Sequence, residues 1–255
     1  MILIDPPTWP AHGRLWSHLI SDRSLEELHA FARGTGVPER SFEGDHYDVP
    51  DERYAELVAA GAVPVGNREL ARALTASGLR FRKRKGERPL ARVVDGLPAV
   101  GAPHVLDVVA SPHEPVATAG AAVVLVADPE DWLVLVRSVG REGWAPPGGK
   151  RDPGEGPRET AVREVGEETG LDLVTAQLTP VGYERVTIAA GQERPPWSAG
   201  DNHIAVFGAR VEERHPVAPG ATDVSAAEWV DSRTLELRCA AQPWWPLLTR
   251  FLRRG

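Results

Sequence analysis

The chain has a single cysteine, Cys239, among its 255 residues. No intrachain disulfide can form, which suits a reducing cytoplasm. No apolar run approaches the roughly 20 residues a membrane-spanning helix needs. The opening MILIDPPTWP lacks the basic region and long apolar stretch of a secretory leader. A membrane partner is therefore not expected, and a cytoplasmic location is. Lysine is scarce: Lys83, Lys85 and Lys150 stand among 29 basic residues, and the rest are arginine. With the abundant Ala, Gly and Pro, this reflects codon bias rather than mechanism. Internal repeats and long low-complexity tracts are also missing.

What is present is ordinary for a protein with a substantial core: 42% hydrophobic and 25% charged residues. The length is comfortable for two domains. The net charge of −7 is unevenly spread. Residues 1–90 balance 13 acidic against 13 basic side chains, and the remainder carries 23 against 16. An acidic domain that meets polyphosphates needs a cation to bridge the repulsion.

Patterning predicts a small α/β domain over 1–90. Residues 2–5 read as a short strand, and Ser24 caps a helix running to about Arg33. Asp51 opens a second helix that stops near Gly61. The run 62–66 reads as a strand, and Asn67 starts a helix ending near Gly78. The basic run RFRKRKGER at 80–88 and a weakly patterned stretch over 91–114 read as a linker. A second domain over 115–255 begins with a buried strand at 117–127, paired through the turn DPED with 132–139. Strands at 180–189, 202–212 and 226–231 follow. Ser232 caps a brief helix, and 243–253 forms a last one.

Between those strands lies GKRDPGEGPRETAVREVGEETGL, residues 149–171. Pro157 suits the first turn of a helix and Gly170 its end. On that helix Glu164, Glu167 and Glu168 fall within an arc of about 100°. Arg163 lies one turn from Glu159 and from Glu167, close enough to orient a carboxylate. Either water solvates this acidic face, or a positive ion sits within it.

The spacing resembles the Nudix hydrolase signature, G-x5-E-x7-R-E-U-x-E-E-x-G-U, with U a bulky aliphatic residue. Gly149, Glu155, Arg163, Glu164, Val165, Glu167, Glu168, Gly170 and Leu171 fill every specified position. The resemblance covers roughly 115–255 and implies an α/β/α sandwich around a mixed sheet. It also implies a loop-helix-loop that binds Mg²⁺ or Mn²⁺, which hard oxygen donors suit. By position it makes Glu164 and Glu168 metal ligands, with Glu167 close behind and the Gly149 carbonyl as a further donor. Glu155 and Arg163 would hold the loop and orient the glutamates. Glu167 and Asp223 are alternative general bases. The implied reaction is hydrolysis of a phosphoanhydride in a nucleoside diphosphate linked to another group.

The expected partner is a nucleotide or nucleotide conjugate. Lys150, Arg137 and Arg141 are candidates to meet its phosphates, or else solvated surface charges. Trp144, Tyr183 and Trp197 are candidates to stack on a base, or else packing residues. Pro180 and Tyr183 come too early to be the downstream markers of ADP-ribose or dinucleoside polyphosphate branches. Nucleoside triphosphates, including oxidised ones, and nucleotide sugars stay open, and the substrate expectation leans to a nucleoside triphosphate or related small nucleotide. A non-catalytic nucleotide sensor on the same fold is the competing reading. A homodimer stays open.

The first ninety residues, with IDPPTWPAHGRLWSHLISD and GDHYDVP, resemble an uncharacterised bacterial domain of no assigned function. Asp5, His12, His18, Asp45, His46 and Asp48 could converge there, although their spacing fits no standard metal pattern. The basic run is weak support for nucleic-acid binding, and the net charge opposes it.

Overall fold

The computed structural model describes residues 1–253. The chain divides into two compact units, Met1–Arg84 and Lys85 onward. Among the described residues no helix is long and apolar enough to cross a membrane.

The first unit contains β1 (Ile2–Ile4), β2 (Trp9–Ala11), β3 (Arg14–Ser21), α1 (Leu25–Gly34), β4 (Tyr47–Pro50), α2 (Tyr54–Ala59), β5 (Val63–Pro64) and α3 (Asn67–Ala76). Ser24 accepts from the Glu27 N–H and caps α1, as its type predicts. β3 is the hub of a five-stranded sheet: it pairs antiparallel with β1, β2 and β4, while β5 runs parallel to β1. Sequence patterning predicts no strand between residues 6 and 23. In the structure β3 alternates poorly because Leu19, Ile20 and Ser21 are all buried at the sheet centre. Asp51 opens a short 3₁₀ turn, Asp51–Arg53, and α2 starts only at Tyr54.

The second unit corrects the linker assignment. Residues 91–114 are not a connector. They hold most of β6 (Arg88–Val94) and all of β7 (Val105–Ala110), which pair with each other. The Pro and Gly residues that read as linker occupy the turn between these strands, and the β-branched VLDVVA joins the sheet. The unit continues with β8 (Ala121–Ala127), β9 (Leu133–Ser138), β10 (Gly148–Lys150), α4 (Pro157–Thr169), β11 (Thr179–Ile188), β12 (Gly200–Arg210), β13 (Val224–Val230), α5 (Ser232–Cys239) and α6 (Trp245–Leu252). Its sheet has eight strands in the order β13-β9-β8-β12-β11-β7-β6, with β10 added beside β8. β12 and β8 are parallel and the other pairs antiparallel, so the sheet is mixed.

Alternation along the strands builds two cores. Val124, Val126, Ala205 and Phe207 face Ala161 and Val165 of α4. Leu125, Leu133, Leu135 and Val206 face Leu235 and Cys239 of α5 and Leu247, Leu248 and Phe251 of α6. Helices therefore cover both faces, the α/β/α sandwich expected. α4 is pinned by Ala161 and Val165, which lie one turn apart and are both fully buried. That fixes which side of the helix is left for chemistry.

Candidate active site

Local chemistry sets α4 in place. Pro157 occupies its first turn, and Gly170 ends it at φ 75°, a left-handed conformation that glycine adopts without strain. Before it, β10 runs beside β8 with Gly149 opposite Ala122. A side chain at Gly149 would place its Cβ 2.5 Å from the Glu164 carboxylate. Only glycine lets backbone and carboxylate lie so close.

Arg163 is the organiser. Its Nε donates to Glu155 Oε1 at 2.8 Å and its Nη2 to Oε2 at 3.2 Å. Nη1 donates to Glu164 at 3.0 Å and to Glu167 at 2.9 Å, and Nη2 also reaches the Lys150 carbonyl at 2.9 Å. One guanidinium thus ties the loop, the strand and two motif glutamates together, as a planar fork with five N–H donors can. Hydrogen bonds from Arg163, aided by Thr160, hold the Glu155 carboxyl down at about 2 against the opposing effect of desolvation. Arg163 itself is raised, chiefly by its bond to Glu155. Thr160, whose hydroxyl donates to Glu155 at 2.9 Å, was missed from the sequence. Its place in the first turn of α4, directly after the loop that carries Glu155, is the signal that could have found it.

Glu168 is the least compensated of the motif glutamates. Glu168 is 6% exposed and accepts from the Gly148 N–H at 2.8 Å. Burial, then the charges of Glu164 and Asp223, push its carboxyl up to about 7, although the Gly148 bond opposes this. Burial also raises Glu164, with Glu167 and Asp223 adding to the shift against the pull of Arg163. Asp223 is exposed, and its carbonyl accepts from Val139 at 2.7 Å in the loop that carries Arg141. The structure therefore brings Glu164, Glu168, Asp223 and Arg141 into one electrostatic neighbourhood. Glu167 lies at its margin, with its side chain 52% exposed and turned to Arg163.

The phosphate and base candidates divide. Lys150 and Arg137 are exposed, on β10 and β9 respectively. Trp144 packs against the α5–α6 core with the Arg238 guanidinium 4.2 Å from its ring centroid. Tyr183 is 7% exposed, and its hydroxyl donates to Glu87 at 3.1 Å, so it serves the interior instead of an open platform. Trp197 is half-buried against the same core as Trp144. Glu184, which sequence reading passed over, is 6% exposed on β11, and burial alone pushes its carboxyl up to about 7. Nothing in the run YERV distinguishes it from an outward-facing glutamate.

Half-buried Glu164, buried Glu168 and the Gly149 strand offer oxygen donors whose negative charge Arg163 and Arg141 balance only in part, which fits a hard divalent cation.

The motif lies within a region that matches a known family. A model of the NUDIX domain matches residues 117–254, just over half of the chain. A second model, described as a protein of unknown function (DUF4031), matches residues 2–77. The mouse asymmetrical bis(5'-nucleosyl)-tetraphosphatase is 41% identical over 66 residues, covering 26% of this chain and 44% of that protein. A putative 8-oxo-dGTP diphosphatase of Bacillus subtilis is 43% identical over 116 residues, covering 46% of this chain and 68% of that protein. The chain thus spans less than half the length of the mouse relative. Among solved structures, a C. elegans Ap4A hydrolase complex shares 19% identity, with 52% of this chain and 96% of that one covered and a TM-score of 0.40. A Bacillus subtilis pyrophosphohydrolase shares 17% identity, with 59% and 91% covered and a TM-score of 0.44.

Proposed function

The chain belongs to the Nudix family, and from that premise we propose that it hydrolyses a phosphoanhydride bond in a nucleoside diphosphate linked to another group. The observation that carries the proposal is the pair Glu164 and Glu168. Burial raises both and Asp223 adds to each shift, beside a glycine strand that gives backbone access. Glu164 and Glu168, with Glu167 and the Gly149 carbonyl, would hold Mg²⁺ or Mn²⁺. When bound, such an ion neutralises phosphate charge and makes water more nucleophilic.

The chain's own residues divide the remaining work. Arg163 and Glu155 are positioning residues that hold the loop and the carboxylates in register. Asp223 is the better candidate to accept the proton from attacking water: it faces Glu164 and Glu168, whereas Glu167 is committed to Arg163. Arg141, Lys150 and Arg137 bring the positive charge that a polyphosphate needs. The substrate we favour is a nucleoside triphosphate or a related small nucleotide, and the setting a reducing cytoplasm. With Tyr183 buried and Trp144 covered by Arg238, half-buried Trp197 is the remaining stacking candidate of the three.

The test is a panel of nucleotides and nucleotide conjugates assayed with Mg²⁺ or Mn²⁺, with phosphate read before and after a pyrophosphatase chase. Glu168→Gln keeps an acceptor for the Gly148 N–H but removes a charge, and it should lower turnover more than about 100-fold. Unchanged turnover in that variant would show that Glu168 is not a ligand.

A further inference from the structure

The first unit gathers a different set of donors. His18, His46 and Asp48 each bring one ligand atom within 4.8 Å of the others, the one such group of three among the described residues. Strand pairing explains the convergence. His18 on β3 lies opposite Asp48 on β4. Asp5, just past β1, donates its N–H to the His18 carbonyl at 3.2 Å. Asp5, His18 and Asp48 therefore form a row across three strands, and His46 precedes Asp48 by two residues, on the same face.

Each imidazole is held from behind. His18 Nδ1 lies 2.9 Å from Asp5 Oδ2, and His46 Nδ1 lies 2.5 Å from Asp45 Oδ1. Asp5 and Asp45 are 1% and 3% exposed. They are fixed in turn: Asp5 Oδ1 accepts from the His18 N–H at 2.5 Å, and Asp45 Oδ2 from the Phe81 N–H at 2.6 Å. A carboxylate on Nδ1 sets the tautomer and turns Nε2 forward as a ligand, the arrangement that supports metal-bound histidines. Both Nε2 atoms do turn to a common point. They stand 3.8 Å (His18) and 3.3 Å (His46) from Asp48 Oδ1. Donors around a tetrahedral zinc ion lie about 3.3 Å apart, from bond lengths of about 2.0 Å.

We propose that His18, His46 and Asp48 form a second metal site, for a divalent transition ion of the zinc type, with Asp5 and Asp45 as its supporting carboxylates. Two imidazoles select such an ion over Mg²⁺, which prefers oxygen. Charge agrees: three aspartates surround the two imidazoles, against Arg80 at 3.8 Å from Asp45 and Lys83, which acts on Asp48 but is itself paired with Glu43 at 2.6 Å. Three protein ligands leave a coordination position over, and the 40% exposure of the Asp48 side chain opens that position to water. This is the layout of a reactive metal site rather than a closed structural one.

The experiment uses the full chain, dialysed against dilute Zn²⁺ with a large excess of Mg²⁺ to occupy the acidic motif of the second unit. The expected result is one zinc retained per chain. Ring-nitrogen resonances of His18 and His46 should shift on zinc addition, and those of the other six histidines should not. Asp45→Asn should weaken retention by about 10- to 100-fold, while nucleotide turnover with Mg²⁺ stays unchanged. No retained zinc, or retained zinc that leaves the His18 and His46 resonances in place, overturns the proposal. Both readouts are made on the unaltered protein, so neither depends on a variant folding.

Discussion

The two units solve the same electrostatic problem in opposite ways. In the first, the aspartates nearest the sheet centre each face an imidazole. Burial opposes the charge of His46, but its bonds to Asp45 and Asp48 raise it to about 9, and both carboxyls stay below their usual range despite their own burial. In the second, Arg163 satisfies Glu155, Glu164 and Glu167, and Glu168 is left with one backbone N–H and a carboxyl raised to about 7. Nitrogen donors in one place and surplus carboxylate oxygen in the other call for different cations. The lesson is that a count of acidic groups says little until each partner is known.

The comparison can be sharpened with Glu184, which shares the raised value of Glu168 without its acidic neighbours. Its folded pKa lies above the ordinary carboxylate value, so its contribution to stability is complete below about pH 4.5 and is lost as pH rises through about 7. Glu184→Gln should therefore remove a penalty of about 3 kcal/mol that the parent chain develops between acid and mildly basic pH. Urea unfolding of parent and variant at both ends of that range measures it. Equal pH dependence in the two would mean that Glu184 ionises freely in the fold.

Next in size is the organiser. Arg163→Lys keeps a charge but loses the fork, and turnover should fall by about 10- to 100-fold with a smaller change in substrate affinity. Steady-state kinetics would check this, and an effect confined to KM would place Arg163 on the substrate instead. A smaller effect, about tenfold on turnover, is expected for Gly149→Ala, since a Cβ there pushes directly on the Glu164 carboxylate. Smallest of all is the response of Cys239. It is fully buried, burial pushes its thiol up to about 11, and alkylation of the native protein at pH 8 should be undetectable over minutes. Prompt labelling would show that α5 opens readily.

Legibility from sequence follows from contiguity. The motif of the second unit occupies one loop and one helix, so the family resemblance along 149–171 already implied that Gly149 joins the glutamates and that Arg163 and Glu155 orient them. The α/β/α layering was what the family resemblance implied, and the strands and helices of the second unit bear it out. Asp223 arrives through the pairing of β13 with β9, which no local pattern encodes. β6 and β7 were hidden because the glycines and prolines of their connection dominated the composition. In the first unit, Asp5, His18 and the run holding Asp45, His46 and Asp48 come from three places in the chain, and only register brings them together. His12 lies in the exposed tight turn between β2 and β3, at φ 52°, away from that row.

The most direct test of the central claim is titration calorimetry of the full chain with Mg²⁺ and Mn²⁺, alone and beside a non-hydrolysable nucleotide, on the parent and on a Glu164→Gln, Glu168→Gln double variant. The account predicts saturable uptake by the parent at millimolar metal or below, strengthened by nucleotide, and none at that site in the double variant. The same heats in both proteins, or none in the parent even with nucleotide present, would contradict it.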